Sequence, residues 1–245
     1  MNTEKFDLIE VLSLKRSGHH AFIKWICKNI CGLEPNFGFK LEFLSDSGVW
    51  VWNDVNRYNK LGVDLYNKAI NNNTPNTLIV NYEDETVDYT FFHKTKKYHG
   101  PKNYNENSQI LKSKRVYIIR DFYNCITSRI KHEENYLHTL NDFGEKYIRL
   151  WKEYAINYLR NDNSIKFEDL LTNRKESNRF LTLNFGITEY CDFNNISKTK
   201  SSFNNGDYLN RFDINIIPEE TKNLIRKDNE LHYLIGALGY EYKEI

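Results

Sequence analysis

The sequence predicts an α/β fold with a central, mostly parallel sheet flanked by helices. Apolar runs alternate with amphipathic stretches of helical periodicity, and this alternation is typical of parallel sheets whose strands are joined by helices. The chain has 245 residues, of which 40% are hydrophobic, so it can bury one good core. Because no internal repeat or domain boundary is visible, we expect a single domain over residues 1–245.

The predicted strands are short apolar runs rich in β-branched or aromatic residues. In chain order they are Phe6–Leu12, Val49–Trp52, Thr77–Tyr82, Arg115–Ile119 and Ser164–Phe167. The first run leads almost at once into a helical pattern, and so does the fourth. Both junctions are expected of the strand–helix units of a parallel sheet.

The predicted helices are four stretches with amphipathic periodicity. They cover residues 19–31, 122–131, 142–160 and 219–238. Gly32 ends the first helix and Pro218 precedes the last, in agreement with the usual positions of these residues at helix ends. Residues 36–76 and 188–215 lack a clear periodicity, and long stretches of this kind usually cover a site or set its specificity.

Charge and cysteine content narrow the class of protein. The net charge of +1 gives no overall field that would favour nucleic acid or a membrane surface. No apolar run approaches the roughly 20 residues needed to span a bilayer. The polar start Met1–Asp7 does not look like a signal peptide. Cys27, Cys31, Cys125 and Cys191 form neither a disulfide framework nor a zinc pattern, so we expect a soluble cytoplasmic protein.

The most informative segment is the turn between the first strand and the first helix. It consists of Lys15, Arg16, Ser17, Gly18, His19 and His20. Such a turn directs free backbone N–H groups, the positive end of a helix and two cationic side chains at one point, which favours a phosphate or a similar anion. The Gly-Lys-Ser/Thr of an ATP- or GTP-binding loop is absent, since His19-His20 stands where Lys-Thr would be expected.

A second candidate phosphate site follows the strand at Arg115–Ile119. This strand ends on Arg120, and Ser128 falls about two helical turns later on the helix that begins directly afterwards. A guanidinium fixed at a strand end, together with a hydroxyl on the adjoining helix, can bind a second phosphate.

Taken in this order, the elements resemble the sulfotransferases that use 3′-phosphoadenosine 5′-phosphosulfate (PAPS). Lys15–Gly18 is similar to their basic Ser-Gly loop for the 5′-phosphosulfate, and Arg120 with Ser128 to their element for the 3′-phosphate. Ile165–Leu171 looks like their strand-ending Tyr-Glu-Asp-Leu segment, and Gly206–Phe212 like their Gly-Asp-Trp-Lys-Asn-x-Phe stretch. These matches and the ending Ala-Leu-Gly-Tyr occur in the family's order between residues 8 and 240.

The resemblance implies a five-stranded core like that of nucleotide kinases, PAPS as the donor, 3′,5′-ADP as the product and no metal. It assigns Phe167 to the adenine ring, and Ser202 and Arg211 to further nucleotide contacts. Two departures stand out. His19-His20 replaces the usual Thr-Thr, and Ser201–Phe203 replaces an Arg-Lys-Gly that binds the 3′-phosphate.

Catalysis would need charge stabilisation and a general base. We expect Lys15 and Arg16 to stabilise the bridging oxygen as the bisphosphate leaves. Glu83 is the first candidate for the base because it ends a strand, where α/β folds place active groups. His99 comes second and Asp84 third.

The leading hypothesis is transfer of a sulfuryl group from PAPS to an acceptor hydroxyl by in-line displacement. The residues leave the acceptor open among a carbohydrate, a small alcohol, a lipid and a protein tyrosine, and we expect residues in 36–76 and 84–110 to decide between them. One alternative is a nucleotide or small-molecule kinase, which would bind Mg-ATP. Another is a nucleotide-binding protein on the same scaffold that does not catalyse a reaction.

Overall fold

The structure is a computed structural model. The described residues are 5–14, 17–37, 41–44, 48–52, 76–84, 109–137, 143–196, 209 and 212–245. Their strands are β1 (Lys5–Ser13), β2 (Leu41–Leu44), β3 (Val49–Trp52), β4 (Thr77–Glu83), β5 (Gln109–Ile119) and β6 (Ser164–Lys166).

The helices follow the predicted pattern, with additions. They are α1 (His19–Cys31), α2 (Phe122–Leu137), α3 (Phe143–Arg160), α4 (Phe167–Thr172), α5 (Arg174–Phe185), α6 (Glu219–Lys227) and α7 (Asn229–Ala237). The predicted helix over 219–238 is divided in two, because Asp228 caps a new helix there. Its carboxylate accepts a hydrogen bond from the Leu231 N–H at 2.9 Å, which satisfies one of the first donors of α7.

The sheet confirms the predicted fold class. Its strand order is β2-β3-β4-β1-β5-β6. All neighbouring pairs are parallel except β2 with β3, so a core of five parallel strands carries one antiparallel edge strand. Edge strand β2 was not predicted, because its sequence Leu-Glu-Phe-Leu has no β-branched residue, whereas the equally short β3 alternates valine and tryptophan.

Strand β1 lies at the centre and separates two apolar cores. Leu8 and Leu12 pack on one face, together with residues of α2, α3, α6 and α7. Ile9 and Val11 pack on the other face, against α1, α4 and α5. This alternation follows from the two-residue repeat of a strand. Among the residues that the structure describes, no helix combines the length and apolar character that crossing a bilayer requires.

The chain order of the strands reverses direction around β1. Strands β3 and β4 lie on one side of it and β5 and β6 on the other. In open α/β sheets, ligands bind outside the carboxyl ends of the strands where the order reverses. The edge formed by the ends of β4, β1 and β5 is therefore where a site is expected.

Candidate functional site

Three neighbouring strands bring the predicted residues to this edge. Ser13, the last residue of β1, pairs in register with Glu83 of β4 and with Ile118 of β5. The Asp84 N–H also donates to the Ser13 carbonyl oxygen at 3.1 Å, which fixes the end of β4 to that of β1. Glu83 and Arg120 consequently lie on the two sides of the segment that leads from β1 into α1.

The turn before α1 leaves several hydrogen-bond donors unused. Gly18 adopts a left-handed conformation with φ +89°, and α1 begins after it without a side-chain cap on its first N–H groups. The hydroxyls of Ser13 and Ser17 are buried and have no hydrogen-bond partner in the described part of the chain. Buried donors usually find partners, so these hydroxyls and N–H groups fit the oxygens of a bound anion.

The ring of Phe167 contacts both predicted phosphate-binding elements. A Cβ atom on Gly18 would lie 2.1 Å from Cε2 of this ring, so only glycine allows the turn to approach it. On the other element, the guanidinium carbon of Arg120 lies 5.3 Å from the centre of the same ring. The Ser17–Gly18 turn and Arg120 are thus neighbours at one edge of the sheet. Phe167 itself is fully buried.

Arg120 is held from several sides. Arg120 is only 1% exposed to solvent. Its backbone carbonyl oxygen accepts a hydrogen bond from the Trp151 indole N–H at 3.1 Å. A ligand can reach the guanidinium only if a neighbouring group moves aside. Ser128, on α2, is also buried, with 7% exposure.

The start of α2 is connected to the segment that resembles the family's C-terminal stretch. The Asp121 carboxylate accepts from the Asn124 N–H at 2.8 Å and so caps the helix. The Asn124 side chain donates to the carbonyl oxygen of Leu209 at 3.1 Å. Leu209 belongs to Gly206–Phe212, so this residue of the segment lies close to the helix that carries Ser128.

Glu83 contacts the two histidines of the turn. Its Oε1 lies 2.5 Å from Nε2 of His19 and 3.5 Å from Nε2 of His20. The side chains of Glu83 and His19 are largely buried, whereas that of His20 is 40% exposed. His20 also lies against the ring of Phe37, with 4.6 Å between ring centres. The first candidate base is thus joined to two residues predicted to bind the nucleotide.

Asp84, the third candidate base, has a different environment. Its Oδ2 forms an ion pair with Nη1 of Arg129 at 2.5 Å. The backbone of Asp84 adopts a left-handed conformation, with φ 55°. The Asp84 carboxylate therefore links the end of β4 to α2 through Arg129.

A supporting contact that sequence reasoning missed lies behind Arg120. Glu168 accepts from the Asp121 N–H at 3.1 Å with one carboxylate oxygen and from the Tyr240 hydroxyl at 2.8 Å with the other. Burial raises the pKa of both Glu168 and Asp121. This contact fixes the residue after Arg120 to α4 and to the C-terminal segment. The segments that carry Glu168 and Tyr240 are far apart in the sequence, so only their resemblance to segments of the family pointed to this contact.

Several predicted site residues lie outside the described residues. They are Lys15, Arg16, His99, Ser202 and Arg211. Their roles stay predictions, as do those of most of the segments 36–76 and 84–110.

Comparison with known proteins agrees with this geometry at the level of the fold. The structure superposes on the "Sulfotransferase Domain from the Curacin Biosynthetic Pathway" over 97% of this chain and 99% of that chain, with 14% identity and a TM-score of 0.53. The "Sulfotransferase Domain from the Synechococcus PCC 7002 Olefin Synthase" matches over 99% and 97%, with 15% identity and a TM-score of 0.43. No protein-family model and no curated protein matches the sequence. The chain has the fold of a sulfotransferase domain.

Proposed function

We propose that the protein transfers a sulfuryl group from PAPS to a hydroxyl of a carbohydrate or a small alcohol. The observation that carries this proposal is the meeting of the Ser17–Gly18 turn and Arg120 at the ring of Phe167. PAPS has a 5′-phosphosulfate and a 3′-phosphate on one adenosine, so it needs two anion sites close together. A donor with a single phosphate chain would need only the first of them.

The residues of the turn fit the 5′ end of this donor. The buried Ser17 hydroxyl and the N–H groups at the start of α1 would bind its oxygens, and Lys15 and Arg16 would add positive charge. The bound nucleotide supplies the activated sulfuryl group. Since a sulfuryl group carries less negative charge than a phosphoryl group, oriented donors and cationic side chains can serve without a divalent metal.

Arg120 and Ser128 are the proposed ligands of the 3′-phosphate. Both residues are buried, so a phosphate bound there would be shielded from water and its hydrogen bonds to the guanidinium would be strong. Ser202 and Arg211 are proposed as further nucleotide contacts. Phe167, which is predicted to lie near the adenine, would also act as a spacer between the Ser17–Gly18 turn and Arg120, because its ring contacts both.

Glu83 is the proposed general base. It lies beside the turn, where the attacking hydroxyl must approach the sulfuryl group, and His19 fixes the orientation of its carboxylate. Asp84 is less suited because its partner is the permanently charged guanidinium of Arg129, whereas the histidine partners of Glu83 are imidazoles. His99 stays the alternative.

Calorimetry with 3′,5′-ADP, 5′-AMP and Mg-ATP tests the proposal on the unmodified chain. We expect binding of 3′,5′-ADP, with 5′-AMP weaker because it lacks the 3′-phosphate. Absence of 3′,5′-ADP binding at millimolar concentration would refute the proposal, and a preference for Mg-ATP would favour a kinase. Tight 3′,5′-ADP binding without sulfate transfer to any member of a broad acceptor panel would indicate a protein that binds the nucleotide without catalysis.

A further inference from the structure

We propose that His19, His20 and Glu83 form a binding site for a divalent transition metal ion, with Zn²⁺ as the ion that suits its donors best. Each of the three side chains offers one ligand atom, and these atoms all lie within 4.8 Å of one another. The cysteine pattern predicted no metal, but this group contains no cysteine. The proposal does not depend on the function proposed above.

The backbone fixes all three ligands. His19 and His20 are the first two residues of α1, and the left-handed Gly18 sets the direction in which this helix starts. Glu83 is held opposite them, because its strand is paired in register with the last residue of β1. The donors therefore come from two elements that the sheet holds together. A site built on such elements pays little entropy to assemble.

The donor set is that of a zinc site with an open position. Two imidazole nitrogens and one carboxylate oxygen are common protein ligands of Zn²⁺, and three of them leave a fourth position for water or another molecule. His19 and Glu83 are largely buried, whereas the 40% exposed His20 marks the side from which an ion can enter. Mg²⁺ would bind poorly, because it prefers oxygen ligands.

The ligand atoms, all within 4.8 Å of one another, need to move by no more than about 1.5 Å to surround one tetrahedral ion. Two ligands of one tetrahedral Zn²⁺, each about 2.0–2.2 Å from the ion, lie roughly 3.3 Å apart. The separation of 3.5 Å between Nε2 of His20 and Oε1 of Glu83 already agrees with this value. The contact between Nε2 of His19 and Oε1 of Glu83, at 2.5 Å, must open by less than an ångström, which side-chain rotation can provide. In the metal-free protein this contact takes the place of the bonds to the ion.

Titration of metal-free protein with ZnCl₂ in a calorimeter, without any nucleotide, tests the proposal. We expect one Zn²⁺ ion per chain in this site and no comparable heat from MgCl₂. His20→Gln and Glu83→Gln should each weaken Zn²⁺ binding by more than about tenfold, because loss of even an outer-shell partner costs 10–100-fold. Thermal unfolding of each variant checks that the fold is retained. We expect His20→Gln to fold normally, because the side chain of His20 is 40% exposed.

His232→Gln is the matched control. His232 is another histidine, on α7, where its ring lies 4.4 Å from that of Tyr242. Its replacement should leave Zn²⁺ binding unchanged. The proposal fails if the unmodified chain does not bind Zn²⁺, if His20→Gln binds it as tightly as the unmodified chain, or if His232→Gln weakens it as much as His20→Gln.

A bound metal would also occupy Glu83. If the protein is the transferase proposed above, Zn²⁺ should therefore inhibit turnover, and a chelator should restore it. The two proposals can fail separately, because the ZnCl₂ titration involves no nucleotide and the 3′,5′-ADP titration involves no metal.

Discussion

Alanine at position 18 would disturb the contact on which the proposed nucleotide site depends. Gly18 has φ +89°, which side chains other than glycine rarely adopt, and its Cβ would lie 2.1 Å from Cε2 of Phe167. Gly186, which ends α5, is a matched control. It has φ +68°, but nothing lies within 4 Å of the position of its Cβ. The two substitutions thus share the conformational penalty and differ in the clash.

The expected magnitudes follow from these two terms. A left-handed conformation costs a residue with a Cβ about 1–2 kcal/mol, and overpacking of a buried site costs about 1–3 kcal/mol more. Gly186→Ala should therefore lower the free energy of unfolding by about 1–2 kcal/mol, and Gly18→Ala by about 2–5 kcal/mol.

Urea denaturation, followed by circular dichroism, measures both losses as shifts of the unfolding midpoint. Phe167→Leu, which gives the alanine more room, provides a further check when it is combined with Gly18→Ala. The double variant should lose less stability than the sum of the single variants, because the smaller side chain at position 167 relieves the clash that Gly18→Ala alone suffers. Equal losses for Gly18→Ala and Gly186→Ala would show that the ring does not pack on the turn and would remove the main support for the proposed site.

Three further predictions concern charged groups at the same edge of the sheet. Arg120→Ala should weaken the binding of 3′,5′-ADP, measured by calorimetry, by about 1.5–3 kcal/mol and should weaken the binding of 5′-AMP much less. Equal losses for the two nucleotides would mean that Arg120 does not bind the 3′-phosphate. Glu83→Gln should slow sulfate transfer and leave 3′,5′-ADP affinity nearly intact, and undiminished turnover would move the base role to His99. Burial raises the pKa of Glu168 in the folded state above its value of about 4.5 in the unfolded chain. The protonated carboxyl therefore contributes its full stabilisation below the unfolded pKa, and this contribution is lost as the pH rises through the folded pKa. Urea unfolding between pH 4 and 8 should accordingly show the unmodified chain losing stability relative to Glu168→Gln as the pH rises, and a constant difference would contradict this assignment.

The sequence predicted the parallel sheet because its signals are local. Apolar runs such as Thr77–Tyr82 are long enough to be recognised as strands, and helical periodicity follows β1 and β5 directly. Edge strand β2 and the break at Asp228 were missed for the opposite reason. The four residues of β2 include no β-branched side chain, unlike the equally short β3, and a cap within a continuous amphipathic stretch does not interrupt its periodicity.

The candidate site was only partly predictable, because its contacts join distant parts of the chain. The turn and Arg120 could be identified separately, since each is a strand end followed by a helix. Their common contact with Phe167 depends on the order of the strands, which no local pattern gives. The pairing of Asp84 with Arg129 is also a tertiary contact, and it distinguishes two carboxylates that are adjacent in the sequence.

The two histidines at the start of α1 share one carboxylate partner, Glu83. The first turn of a helix carries partial positive charge, which favours a carboxylate beside it. Glu83 provides that carboxylate to both histidines, and the register between β4 and β1 keeps it there. An acceptor hydroxyl would have to approach Glu83 past His20, the exposed member of the pair. If Glu83 is the general base, changes at position 20 should therefore alter catalysis through Glu83.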